Sequence, residues 1–215
     1  PILLKNFVSF IRSINNKPEF FFLERFIKKG YLITDLKFNF DEFGVLKQDY
    51  KVNGLLKEGK INIFKRNKLE NINFLFDITE NNFNFREISF DTNKINFSSE
   101  KFNIKKNKKD YLLEGNIRNK NSPLNDELIQ MIKLKYPQFD LINTNFESNT
   151  DFSLNINHKK KVENLILNSN ILIDSSQYKR NNLISKNILQ INDLIDLKDH
   201  EIKVSYINNK LSIKG

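Results

Sequence analysis

Apolar residues recur along this chain with two periods, and the change from one to the other divides it. Leu3, Phe7, Phe10, Ile11 and Ile14 stand three and four apart, the spacing of one helix face, and predict a helix over residues 1–15. Asn15, Asn16 and Lys17 interrupt it. Pro18 suits a first helical position, Phe21, Phe22 and Ile27 supply an apolar stripe, and Gly30 suits the residue past a helix end, so a second helix is expected over 18–29. Lys5, Arg12, Lys17, Arg25, Lys28 and Lys29 flank these aromatics. The reading adopted is packing against a sheet end, with a membrane-surface helix as the alternative.

From Gly30 the period becomes two. Leu36, Phe38 and Phe40 alternate with polar residues, Asp41 to Gly44 reads as a turn, and Tyr50, Val52 and Leu56 alternate again. Gly59 opens a strand carrying Ile61 and Ile63. Ile72, Phe74, Phe76 and Ile78 share one parity. An Asn81–Asn82 turn leads into Phe83 and Phe85, then Ile88 and Phe90, and that slip in phase predicts a bulge or a break. Ile95 and Phe97, Phe102 and Ile104, then Tyr111, Leu113 and Ile117 continue the pattern. Ser122 suits a helix cap, Pro123 a first turn, and Asp126 and Glu127 the positive end of a helix dipole. With Leu124, Leu128, Met131 and Ile132 as a stripe, a helix is expected over 123–136. Strands resume with Phe139 and Leu141, with Phe152, Leu154 and Ile156, and from Val162 to Ile173. Residues 183–197 fit either a helix or two short strands. Ile202, Val204 and Tyr206, an Asn208–Asn209 turn, and Leu211 with Ile213 predict a closing hairpin.

The fold class that follows is mainly β: an antiparallel meander forming a curved, elongated sheet or groove, with N-terminal helices and one inserted helix. The chain divides into a helical segment, 1–30, and a β segment, 31–215. One string recurs. Asp49-Tyr50-Lys51-Val52-Asn53-Gly54-Leu55-Leu56 matches Asp110-Tyr111-Leu112-Leu113-Glu114-Gly115-Asn116-Ile117, so Gly54 and Gly115 are expected at equivalent places in two strands. A repeat of this kind points to an extended stack of strands rather than a compact barrel.

Composition alters little of this. About one residue in six is Asn and none is Ala, a bias toward residues with A- and T-built codons. It accounts for part of the net charge of +9, which would otherwise suggest a polyanion. The 20 Phe among 215 residues supply enough apolar area to exclude a disordered chain. Cys is 0, so disulfides and thiolate metal sites are excluded, and no apolar run reaches the ~18 residues of a membrane-spanning helix. The chain opens on Pro1 rather than Met and reads as a piece of a longer one.

Catalytic chemistry has few candidates. No Gly-rich phosphate loop, nucleophile elbow or paired-His zinc motif occurs, and no catalytic residue, metal ligand or cofactor is assigned. His158 begins a basic run that reads as a hairpin tip. His200 lies among Asp193, Asp196, Asp199 and Glu201; a divalent cation is one use of such a cluster, and a solvated acidic turn is the reading adopted. Lys105, Lys106, Lys108 and Lys109, and Lys159 to Lys161, fall between predicted strands. They are read as charged turn tips, with phosphate groups of nucleic acid or lipid as the alternative. The Phe residues fall on core parity rather than beside these lysines, so nucleic acid is not expected as a partner.

The stretch from Phe40, Asp41, Glu42, Phe43 and Gly44 to Gly54, its echo from Ile104 to Ile117, and the segment Leu124 to Asn157 ending in Phe152-Ser153-Leu154-Asn155-Ile156 resemble the AsmA-like superfamily of envelope proteins, the TamB and YhdP type, over roughly residues 30–175. The resemblance implies a sheet curled into a long groove, apolar inside and polar outside, that carries phospholipid between inner and outer membranes. It implies a periplasmic location, an inner-membrane anchor in the parent chain, membranes as partners through parts of that parent, and other envelope proteins as further partners. The implied lipid-facing residues are Tyr50, Val52, Leu56, Phe74, Phe76, Phe90, Phe97, Leu113, Ile117, Phe152 and Leu154. The helix expected over 123–136 interrupts that pattern and would plug a conduit if it lay on the apolar face. The competing reading is a structural module of outer-membrane assembly whose aromatic face is a closed core. A third is a basic β domain on nucleic acid.

Overall fold

The structure is a computed structural model. It describes residues 1–14, 24–37, 39–44, 47, 49–63, 67–107, 110–124, 141–159, 161–179 and 194–215. A two-residue strand, β1 (Ile2–Leu3), leads into the helix α1 (Leu4–Ile14). The described strands that follow are β2 (Ile27–Lys37), β3 (Lys51–Ile63), β4 (Asn67–Ile78), β5 (Asn82–Thr92), β6 (Ile95–Lys106), β7 (Tyr111–Pro123), β8 (Leu141–Ile156), β9 (Val162–Lys179), β10 (Leu194–Ile207) and β11 (Lys210–Lys214). All belong to one 11-stranded antiparallel sheet in which spatial order equals sequence order. Each strand pairs with the one before it, as sequential strands most often do. β1 and β11 each have one partner, so the sheet is open. Its accessible surface is 16034 Å², against about 10,000 Å² for a compact monomer of 25.5 kDa. The excess is what a single layer exposes.

The turns follow the sequence. Asn93 (φ 50°) with Lys94 (φ 63°), and Asn208 (φ 50°) with Asn209 (φ 61°), are left-handed pairs joining β5 to β6 and β10 to β11. A two-residue hairpin needs this conformation, and Asn tolerates it better than most residues. At the Asp41–Gly44 turn the Asp41 carboxylate accepts the Phe43 amide at 2.9 Å, and Gly44 takes φ 76°.

Inside the strands, Glu58, Asn71, Glu87, Asn143 and Asn164 adopt φ between 49° and 52° beside shifts of register. These are β-bulges, and each adds one residue that reverses parity. The slip between Phe85 and Ile88 is the bulge at Glu87. β6 does the same between Ser98 and Phe102 relative to β7. There Asn116 Oδ1 accepts the Glu100 amide at 3.2 Å and the Ser99 hydroxyl at 3.3 Å.

Three expectations are corrected. The helix placed over 18–29 gives way to strand by Ile27, which pairs with Ile61. Residues 24–26 are helical, and 15–23 lie outside the described residues. The division at residue 30 therefore falls inside β2. Ser122 and Pro123 do not start a helix: Ser122 is opposite Phe146, and its hydroxyl bonds the Lys120 carbonyl at 2.6 Å instead of capping. Pro123 sits at the strand end, where a missing N–H is tolerated. The rest of that expected helix, 125–136, and Phe139 lie outside the described residues. Of 183–197, only 194–197 are described, and they are strand. His200 and its acidic neighbours Asp196, Asp199 and Glu201 belong to β10 rather than to a turn.

The core sits at the N-terminal end. Leu32, Leu56, Ile72 and Phe76 are its buried centre, and Leu4 and Phe7 of α1 close over it. Gly30 and Gly59 allow that approach, since a Cβ on Gly30 would stand 3.3 Å from both the Gly59 Cα and Leu4 Cδ2. Ser9 and Arg12 of α1 both donate to the Glu24 carboxylate, which ties the helix to the chain entering β2. No described helix is long and apolar enough to cross a membrane.

Candidate functional site

Residues directly opposite across an antiparallel pair project from the same face. The pairing therefore tests whether the candidate residues share a surface. One row runs Thr34, Gly54, Phe76, Phe85, Phe102, Gly115, Phe152, Leu167, Tyr206, Leu211, from β2 to β11. Two residues nearer the strand ends, a second row runs Leu36, Val52, Ile78, Phe83, Ile104, Leu113, Leu154. Leu32, Leu56 and Phe74 form a short third row. Phe90 faces Phe97, which faces Asn119, and Asn119 is four residues from Gly115 on β7. Ile117 lies between those two. Tyr50, just before β3, has the parity of Val52. All the candidate residues thus lie on one face, and the bulges make this possible: Phe97 and Phe102 share it despite opposite parity.

The rings touch across the strands. Phe74 meets Phe85 edge-on at 5.4 Å between centroids and Phe76 at 6.1 Å. Phe85 stacks on Phe102 at 5.7 Å and Phe90 on Phe97 at 5.5 Å. Phe102 and Phe152 come from strands two apart, yet their centroids are 5.9 Å apart. They lean over Gly115, where a Cβ would lie 3.0 Å from Phe152 Cζ and 3.1 Å from Phe102 Cδ2. Gly54 does the same for Phe76, whose Cζ would be 2.5 Å from its Cβ. The repeated string therefore places two glycines in one row, each beneath a ring. The repeat is the sequence signal that finds this row.

Past β7 the face acquires small polar groups that bond one another. Thr150 and Ser169 hydroxyls are 2.8 Å apart, and Thr144 and Ser176, both buried, are 2.6 Å apart. Asn119 Nδ2 donates to the Phe146 carbonyl at 3.1 Å, and its Oδ1 accepts the Ser148 hydroxyl. Satisfied in this way, they add little repulsion toward an apolar neighbour. Sequence reading missed them because Ser, Thr and Asn interrupt an apolar pattern. It also missed Phe85, Phe102, Leu167 and Tyr206, which bulges or distance in sequence separate from the chosen set. Tyr50 is half-buried, and burial, then the nearby Glu80, push its phenol pKa up.

The opposite face is polar, with the row Asp35, Asn53, Asp77, Asn84, Asn103, Glu114, Ser153. A recess of about 1000 Å³ opens on it from β5 to β10, lined by Glu87, Glu100, Glu147 and Glu201 with Arg118 and Lys120. Arg118 donates to Glu100 at 2.5 Å and to Asn149 Oδ1 at 3.0 Å. Ile88, Ile171 and Leu172 also line it, and the aromatic rows lie on the other face of the sheet. Among the described residues no three His, Asp or Glu side chains group as a metal site would require. No protein family, curated protein or solved structure compared with this chain matches it.

Proposed function

We propose that this chain is a non-enzymatic lipid-binding segment of a cell-envelope protein, which shields phospholipid acyl chains along its apolar face. One observation carries the reading: the apolar row from Gly54 to Leu211 crosses the sheet without a break, and among the described residues α1 lies mainly against β1 and β2. At about 4.8 Å per strand this row is about 38 Å long. That exceeds the about 15 Å depth of one bilayer leaflet's tails. Long open apolar surfaces mark binding sites.

The mechanism is transfer, not chemistry. A tail of about 14 methylenes, at about 0.8 kcal/mol each, costs on the order of 11 kcal/mol to expose to water. Contact with one sheet face removes roughly half of that exposure, and paired tails shield each other further. Because ribbon and bilayer are both apolar, the lipid has little preference between them and can slide. The resemblance to AsmA-like proteins supports the same reading and brings with it a periplasmic setting between two membranes.

The test is native mass spectrometry of the gently extracted chain, before and after Leu113→Glu or Phe152→Glu. Both positions lie outside the buried core cluster. The proposal expects co-purifying diacyl lipid in the parent and none in folded variants, because a carboxylate would be pressed against the tails. A lipid-free parent with unfolded variants would favour the scaffold reading, in which this face is a closed core.

A further inference from the structure

The meander sends alternate turns to opposite rims of the sheet. The β6–β7 and β8–β9 turns are on the same rim, two strand spacings, or about 10 Å, apart. These turns carry the two basic runs of the sequence. Lys105, Lys106, Lys159 and Lys161 are exposed, and none forms an ion pair or side-chain hydrogen bond among the described residues. Described residues at both turns bond one another. Asn157 Oδ1 accepts the amides of Lys159 at 2.9 Å and Lys161 at 3.1 Å, and the Asn107 amide donates to the Asp110 carbonyl at 2.8 Å. Nearby Glu163 is engaged by Asn157 rather than by a lysine. Glu80, Asp110 and Glu163 share this rim with the lysines, and on the opposite rim Lys60 pairs with Glu70 at 2.5 Å.

Immediately inside the basic rim is the row Lys106, Tyr111, Ile156, Val162, on the same face as the apolar ribbon. Tyr111 is 40 % and Val162 56 % exposed, an amphipathic border of the kind found where a lipid interface meets water. The next rows inward are Ile104, Leu113 and Leu154, then Phe102, Gly115, Phe152 and Leu167. At about 6.6 Å per two residues these reach about 13 Å from the border, close to the depth of one leaflet's tails.

Resting on the lipid-binding reading above, we propose that this rim seats anionic phospholipid headgroups: Lys106, on the apolar face, with Lys159 and Lys161 of the neighbouring turn holds the phosphate and its extra negative charge while the tails run along the strands to Phe102 and Phe152. The substrate class is thereby an acidic diacyl phospholipid rather than a zwitterionic one.

The experiment incubates the full chain with vesicles of equal phosphatidylglycerol and phosphatidylethanolamine and counts the lipids carried away. The parent should take up phosphatidylglycerol at least about fivefold over phosphatidylethanolamine, the factor one engaged lysine supplies near an anionic surface. Lys106→Glu, Lys159→Glu and Lys161→Glu together should bring the ratio to one or below with total lipid unchanged. Lys68→Glu with Lys94→Glu, on the opposite rim, should leave it intact. Equal uptake by the parent, or a preference that survives the triple reversal, overturns the headgroup assignment alone. Uptake of neither lipid overturns this and the lipid-binding reading together. An oligonucleotide that binds through the same three lysines and displaces no lipid would reassign the rim to nucleic acid.

Discussion

The two glycines beneath the aromatic row offer a differential test of the geometry. At Gly54 a Cβ would stand 2.4 Å from the Ile33 carbonyl oxygen and 2.5 Å from Phe76 Cζ. The first contact is backbone of the neighbouring strand, and Phe76 is a buried ring held by Phe74, so neither can move cheaply. Gly54→Ala should cost about 3 kcal/mol, the upper end for overpacking. At Gly115 the corresponding contacts are 3.0 Å to Phe152 Cζ and 3.1 Å to Phe102 Cδ2 and the Lys101 carbonyl. Here a few tenths of an ångström suffice, the rings are half-buried, and Lys101 borders a bulge. An overpacking cost of about 1 kcal/mol is then offset by about 0.4–1 kcal/mol from the stiffer unfolded chain. Neither glycine has a left-handed φ, so crowding alone separates the two. Urea unfolding followed by circular dichroism is the assay. With a slope of about 2 kcal/mol/M, Gly54→Ala should lower the midpoint by about 1–1.5 M and Gly115→Ala by little. Equal losses, or the reverse order, would refute the picture of rings leaning over the glycines.

Glu87 holds φ 52° at a bulge, a conformation costing about 1–2 kcal/mol for a residue with a Cβ. Glu87→Gly should therefore stabilise by about 0.5 kcal/mol after glycine's own entropic cost, whereas Glu87→Val should destabilise, both read from urea midpoints. The exposed pairs Lys29–Glu58 and Lys60–Glu70 set a pH dependence. Hydrogen bonds from their lysines hold both carboxylates below the usual value of 4.5. Their contribution is present above pH 4.5 and is lost as pH falls through the lowered values. The hydrogen bond that Lys29 donates to Glu58 holds the Lys29 ammonium above 10.5, so its share is complete below that value and fades at higher pH. Glu58→Gln with Glu70→Gln should flatten part of the acid decline in urea midpoint at low salt; an unchanged decline would contradict the assignment.

The strand succession was legible in the chain because period-two alternation and Asn-rich turns specify a meander locally. The first helix was legible for the same reason, as Leu4 to Ile14 present one apolar stripe. Residues 27–29 were not, because a Gly past a stripe marks both a helix end and a strand that admits a packed helix. At Gly30 the second meaning holds. Ser122-Pro123 likewise reads as a helix start, while the pairing of β7 with β8 continues through it. The candidate face was legible in outline, and the phase slip at Phe85 announced its bulge. The full row was not, because joining Phe85 to Phe102, Leu167 and Tyr206 needs the pairing of strands up to β11.

The central claim is that acyl chains lie against one face of this sheet. Photo-crosslinking residues introduced singly at Asp151, Phe152, Ser153, Leu154 and Asn155 of β8, with the chain incubated with labelled vesicles, test it by strand parity. Phe152 and Leu154 lie on the apolar rows, and Asp151, Ser153 and Asn155 project oppositely. The account predicts lipid adducts at Phe152 and Leu154 and none at the three alternating positions. Adducts of equal yield on both parities, or at the polar positions alone, would contradict it.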